Sequence, residues 1–178
     1  MKISGRSATT DVITTPEIDL RAFMRLFPTG VALLTTGSGE NASAMTLNSL
    51  VSVSLSPPRV LIGVQRSSRT HAVLTREGSF SLNLLAAHQG PLARLFSSRD
   101  KPGGADLELY VERHHLHGRP CDVLPGGLAA LGCDVEAVFD ADDHDLLLGR
   151  VRVRVPGASG ADPLVFHRGH LGGTVRHG

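Results

Sequence analysis

The sequence predicts a mainly β protein, an antiparallel barrel with short helices appended, and three observations carry that prediction. Alternation of apolar and polar residues recurs along the chain, most openly where Val151, Val153 and Val155 interleave with Arg150, Arg152 and Arg154. Helical spacing is confined to short stretches. Turn residues punctuate the chain often enough to separate many short strands, as in antiparallel barrels. A length of 178 residues suits one domain with a real core, and no repeat or second domain is visible. The domain is read as residues 15–171, between a flexible leader at 1–14 and a tail at 172–178.

Taken in order, Thr14 or Thr15 can cap a helix whose first turn holds Pro16, Glu17 and Asp19. Leu20, Phe23, Met24 and Phe27 form its apolar stripe. Pro28-Thr29-Gly30 ends it and leads into a buried strand, 31–36, followed by a hairpin-like turn from Gly37 to Asn41. The stretch 44–56 alternates again. Met45, Leu47, Val51, Val53 and Leu55 share one face, and Thr46, Asn48, Ser52, Ser54 and Ser56 share the other. Ser49 interrupts the apolar row, which marks a bend or bulge at Asn48-Ser49. Pro57-Pro58 stops the strand.

A buried strand follows at 60–64, then a helix from Arg69 to Arg76 opened by Ser67-Ser68 and closed by Gly78. Residues 80–84 alternate as a strand. Residues 89–96 form a helix with Leu92, Leu95 and Phe96 on its apolar face, and 97–120 read as a long polar loop. Strands are predicted at 131–139 and 146–155, with Asp140 to Asp145 as their hairpin loop. A short strand at 163–166 is the last.

Composition excludes some functions. A net charge of +1, with 20% charged residues, gives no electrostatic footprint for nucleic acid. No apolar run reaches membrane-spanning length, and Met1 to Gly5 leads into polar residues rather than the apolar core of a signal peptide. Cys121 and Cys133 form neither a C-x-x-C nor a disulfide framework and read as reduced, cytoplasmic thiols.

Three stretches are candidates for chemistry. The polar face of 44–56 is built of hydroxyls and an amide without a Lys, Glu or Asp. It suits either a flat polar ligand or a serine-rich outer strand. Ser67-Ser68-Arg69-Thr70 at a helix start offers hydroxyls and one guanidinium, for a phosphate or for simple capping. Asp142-Asp143-His144-Asp145 sets a histidine among carboxylates that favour its charged form, in a site or in a solvated turn. It is no calcium loop, because counting from Asp140 puts Asp145 where glycine is needed and Val151 where glutamate is needed. His114, His115, His117 and Cys121 match no standard ligand spacing, so no metal site is predicted. No nucleophile motif is present either, which favours a reaction whose reactivity a cofactor supplies.

Seven segments in order resemble the flavin reductase-like family, the small reductase components of two-component flavin-dependent monooxygenases. They are 27–36, 44–49, 53–58, 80–85, 92–96, Asp143-His144 before 148–151, and 163–169, and together they span roughly residues 18 to 171. The resemblance implies an FMN-binding split barrel of Greek-key topology, forming a homodimer with flavin near the interface. It implies reduction of FMN or FAD by NADH, with NADPH possible, and delivery of reduced flavin to a separate monooxygenase. By position, Ala44, Met45, Thr46, Asn48 and Ser49 would line the ring and ribityl chain. Gly63, Val64, Gln65, Ser67, Arg69 and Thr70 would surround the flavin phosphate, and Phe96 would close one side. His144 would position the nicotinamide nucleotide together with Phe166, His167, Arg168 and Gly169. Hydride transfer between stacked rings at roughly 3–3.5 Å asks for orientation rather than an acid or base. The chain departs from the family pattern twice, with His170 where a tyrosine is usual and Asp142 where a glycine is usual. Arg150, Arg152 and Arg154 leave two readings open, a 2′-phosphate site or a solvated face. Two other functions share the barrel: flavin or haem binding without turnover, and a pyridoxamine-phosphate-oxidase-like enzyme. The latter would want a stronger basic cluster than Arg69 alone.

Overall fold

The computed structural model describes residues 19–116 and 118–174. The leader, the caps at Thr14 or Thr15, and His117 lie outside them. Twelve strands and three helices follow one another in the described chain. They are α1 (Leu20–Met24), β1 (Thr29–Gly30), β2 (Ala32–Thr36), β3 (Ser43–Leu47), β4 (Leu50–Leu55), β5 (Pro58–Gln65), α2 (Arg69–Glu77) and β6 (Ser79–Leu84). After these come α3 (Gly90–Ser97), β7 (Glu112–Leu116), β8 (Arg119–Val123), β9 (Ala129–Ala141), β10 (His144–Pro156), β11 (Val165–His167) and β12 (His170–Gly172).

Seven strands form one antiparallel sheet in the order β3-β2-β6-β9-β10-β5-β4. Its two end strands are consecutive in the chain, with only Asn48 and Ser49 between them. A two-residue link therefore joins one edge of the sheet to the other, and the sheet must curl back on itself. The bend expected at Asn48-Ser49 is where this happens. Two smaller sheets, β1-β11-β12 and β7-β8, pack outside it.

Strand β2 lies inside the sheet, and all five of its residues are buried. Its two faces serve two cores: Leu34 joins Ile62, Val64, Leu82 and Leu147, and Leu33 joins Ala44, Leu85, Phe96 and Leu164. Each fully buried leucine contributes about 1.5–3 kcal/mol. Gly149 is required by this packing, since a Cβ there would lie 2.4 Å from Cζ of Phe80. Helix α2 follows its sequence signals closely, with the Ser68 side chain accepting from His71 N and Gly78 ending it at φ +64°.

Four expectations are corrected. First, Asp19 caps the described helix α1 rather than sitting in its first turn, and the apolar stripe is exposed, with Leu20 at 63%, Phe23 at 67% and Phe27 at 59%. Among the described residues nothing covers this stripe. Second, Val51, Val53 and Leu55 face outward, with Leu55 88% exposed. Met45, Leu47 and Leu50 pack on the same core, so the two-residue link reverses the parity and sends the next odd positions to the other face. Third, residues 97–120 contain a 3₁₀ turn (Gly104–Leu109) and most of the β7-β8 hairpin rather than one loop. That hairpin is held by polar groups: Asn83 Nδ2 donates to Asp122 O at 2.9 Å, and Asn83 Oδ1 accepts from Leu124 N at 2.8 Å. Fourth, the hairpin loop narrows to Asp142-Asp143, and β9 and β10 run longer than predicted.

Candidate functional site

The link between β3 and β4 presents neutral polar groups, each tethered once or twice. Thr46 Oγ1 donates to the carbonyl of Ala93 at 2.8 Å, which ties β3 to helix α3. Asn48 Nδ2 donates to Thr29 Oγ1 at 3.1 Å. Ser49 Oγ donates to Gly63 O at 2.8 Å and accepts from Gly63 N at 3.3 Å. These tethers leave the carbonyl of the Asn48 amide without a protein donor among the described residues.

Two clefts meet at this link. The smaller, about 350 Å³, lies between Thr46, Asn48, Arg94, Phe166, Gly169 and Leu171. The larger, about 840 Å³, runs past Asn48, Ser49 and Phe166 to Arg21, Arg25 and Phe27 at the end of α1. Asn48 and Phe166 belong to both. Sequence reasoning missed the arginines here. Among the described residues, no carboxylate lies within salt-bridge distance of Arg21, Arg25 or Arg94. A neutral wall therefore faces a cationic rim, an arrangement suited to a flat polar ring carrying phosphates.

The β11-β12 hairpin forms the outer wall. Its turn is Arg168-Gly169, at φ +51° and +83°, and Arg168 N donates to Arg25 O at 2.7 Å. Positive φ at both central positions is the turn that suits right-twisted hairpins, yet a Cβ disfavours it at Arg168. His167, Arg168 and His170 line neither cleft but a neighbouring recess of about 610 Å³.

At the tip of β9-β10, His144 Nδ1 lies 2.8 Å from an Asp143 carboxylate oxygen. That bond holds the Asp143 carboxyl below its ordinary range. Asp142 adopts φ +60°, which explains why glycine suits this position and why aspartate, tolerant of the left-handed region, can replace it. Register sets His144 opposite Gln65 on β5.

The next residue, Asp145, begins a network the sequence did not disclose. Its carboxylate receives Arg66 Nε at 2.7 Å and meets His71 Nε2 at 2.6 Å, and Arg66 also bridges to Asp140 at 2.7 Å. The Asp145 side chain is 10% exposed and that of His71 15%. Hydrogen bonds from Arg66 first and His71 second keep the Asp145 carboxyl below the usual aspartate range. The network pins the start of α2 to the turn that carries His144.

Of the residues expected at the site, Thr46, Asn48, Ser49, Phe166 and Gly169 converge on the two clefts. Met45 is partly buried against the inner core. Gly63 backs the link through Ser49, and Gln65, Ser67 and Arg69 are exposed around the turn into α2. Ala44, Val64, Thr70 and Phe96 are sealed in the core. Phe96 stacks edge-on against Tyr110 at 5.2 Å. The Thr70 hydroxyl is taken up by Ser43 Oγ at 3.0 Å and Ala44 O at 3.3 Å, so it supports the strand rather than reaching outward. His144 lines neither cleft at the link. Arg152 Nε donates to Asp134 at 2.9 Å, which favours the solvated-face reading of that arginine row.

Comparison with known proteins identifies the family to which the chain belongs. The family model described as a flavin reductase like domain matches residues 24–174. The chain is 35% identical to the NADH-dependent FMN reductase AsuE2 of Streptomyces nodosus subsp. asukaensis, over 85% of this chain and 81% of that one. Its fold superposes on the NADH:FAD oxidoreductase SgcE6 of Streptomyces globisporus C-1027 with a TM-score of 0.81, at 30% identity, covering 94% of this chain and 99% of the other. The styrene monooxygenase flavin reductase of Pseudomonas putida S12 gives a TM-score of 0.75 at 30% identity, covering 90% and 99%. With the matched model spanning nearly all of the described chain, this protein belongs to the flavin reductase like domain family.

Proposed function

We propose that this chain is an NADH-dependent flavin reductase that supplies reduced FMN or FAD to a separate flavin-dependent monooxygenase. The observation that carries the proposal is the neutral wall of Thr46, Asn48 and Ser49 at the meeting of two clefts, which share Phe166 and the smaller of which is also lined by Arg94. Thr46, Asn48 and Ser49 would hold the polar edge of a flavin ring, and Ser67 and Arg69 its phosphate. His144, His167 and Arg168 would bind the dinucleotide. Bound flavin supplies the capacity to take up a hydride equivalent from NADH.

What the chain itself does is orient and exclude. Asn48 is held by Thr29, and Ser49 by Gly63, so the wall keeps its shape without a fixed charge. The nicotinamide side depends on His144, oriented by Asp143. The relatives named above use FMN in one case and FAD in another, and both are described as using NADH.

Val51, Val53, Leu55, Val138 and Phe139 leave an apolar surface exposed on β4 and β9, and the α1 stripe adds to it. Such a patch on one chain supports a homodimer. Val53→Asp should shift the sedimentation of the protein from dimer to monomer; a wild type that already sediments as a monomer would sink that assignment. The catalytic domain is taken as residues 15–171. A cytoplasmic setting fits two buried free cysteines, and no helix among the described residues is long and apolar enough to cross a membrane.

The test is direct. Purified protein mixed with FMN or FAD should bleach the flavin and consume NADH in the absence of oxygen, and do so far more slowly with NADPH. Flavin binding without NADH loss would favour a carrier over a reductase.

A further inference from the structure

The smaller cleft at the β3-β4 link is neutral with one exception. Among the described residues that line it, Arg94 is the only charged one. The others bring hydroxyls from Thr46 and Ser97, the Asn48 amide, the Phe166 ring, and aliphatic groups and backbone. No described carboxylate lies within salt-bridge distance of Arg94. One unanswered cation beside a neutral wall treats a neutral ligand and an anionic one differently.

The fold ties this cation to the wall. Arg94 stands on α3, where the buried Ala93 and Phe96 fix the helix against the core. The carbonyl of Ala93, the residue before it, accepts the Thr46 hydroxyl at 2.8 Å. The backbone that carries Arg94 is thus bonded to the side chain that begins the wall. The guanidinium folds back along the helix, since a Cβ at Gly90, four residues earlier, would lie 3.9 Å from Arg94 Nη2. Arg94 is exposed, so its charge stands there without a partner and without the large desolvation cost of a buried ion.

We infer that Arg94 favours the reduced flavin over the oxidised one, a role in tuning the reaction that the resemblance does not assign to any residue of α3. The inference rests on the flavin reductase reading above. Hydride transfer from NADH, a proton with two electrons, leaves NAD⁺ and adds one negative charge to a neutral ring. Thr46, Asn48 and Ser49 offer dipoles, which serve both charge states. Arg94 is the lining group whose attraction grows as that charge arrives, and only such a difference helps the step. A fixed charge near the ring is also what shifts a flavin's potential.

Two measurements on FMN test this: the dissociation constant of the oxidised form, from flavin fluorescence, and the midpoint potential of the bound form, from anaerobic reductive titration with protein in excess. Arg94→Met keeps much of the stem and removes the charge. It should weaken reduced FMN roughly tenfold and leave oxidised FMN within about twofold, which lowers the bound potential by about 30 mV for this two-electron couple. Arg94→Lys should recover most of the potential. Circular dichroism of each variant establishes that it is folded. Equal weakening of both redox forms, or no change in either, overturns the inference while leaving the reductase intact. The same fall in potential in Arg21→Met, in the larger cleft, would make the effect a diffuse field of the whole rim and overturn the assignment to Arg94. A raised Michaelis constant for NADH with the potential unchanged gives Arg94 to the dinucleotide and also overturns it. A wild-type protein that binds no flavin defeats the reductase reading itself, and this inference with it.

Discussion

Two polar regions flank strand β5, and they are built on opposite plans. At one end, Arg66, His71, Asp140 and Asp145 satisfy one another with ion pairs of 2.6–2.7 Å. At the β3-β4 link, Asn48 and Ser49 are neutral, exposed and tethered by one or two neutral bonds each. The first region has its charges answered from within, so it holds the start of α2 against the His144 turn. The second keeps an acceptor free, and the arginines around its clefts find no carboxylate among the described residues. Charge matched internally serves shape, and polarity left unmatched serves a ligand.

The largest effect should come from breaking the matched region. Asp145→Ala strands Arg66 and His71 beside a lost carboxylate and should lower the melting temperature by several degrees or more. It should also raise the NADH Michaelis constant, because the His144 turn loses its anchor. An unchanged melting temperature would show the ion pairs to be ornamental, and the contrast between the regions would fail.

Acid sharpens the same comparison. The folded Asp145 carboxyl titrates below its unfolded value, so its contribution is fully present above the unfolded pKa of about 3.9 and vanishes as pH falls through the lower folded value. Thermal melts of wild type and Asp145→Asn should differ most above about pH 5 and converge under stronger acid. A gap that instead widened on acidification would contradict the assignment.

Asn48→Ala is the matching test of the open region. It removes one exposed bond to Thr29, so stability should change by less than about 0.5 kcal/mol. Flavin affinity should fall roughly tenfold. A stability loss without an affinity loss would reverse the roles given to the two regions. The smallest effect is expected from His144→Ala, a several-fold rise in the NADH Michaelis constant with flavin affinity nearly intact. Loss of flavin binding in that variant would move His144 to the other ligand.

Much of the fold could be read locally. Ser68 and Gly78 bound α2 because capping and left-handed backbone are properties of single residues, and the Val-Arg alternation marked β10 for the same kind of reason. The neutral wall and its bend were visible in the side chains of 44–49. Arg94, Arg21 and Arg25 were not, since nothing in helical spacing tells which exposed arginine will face a cleft. The β7-β8 hairpin escaped because its support is Asn83 and Ser81, residues of a distant strand, rather than a local apolar period.

The sequence by itself determined the mainly β class, the helix bounds of α2, the bend at Asn48-Ser49 and the family, because these rest on residue types and short spacings. Tertiary structure alone decided that Val51, Val53 and Leu55 face outward, that Asp145 meets His71 and Arg66 across 74 and 79 residues, and that Arg94 shares a cleft with Asn48. A two-residue link reverses the side-chain parity, and sheet curvature sets which distant groups become neighbours. Neither quantity is a property of any local stretch of chain.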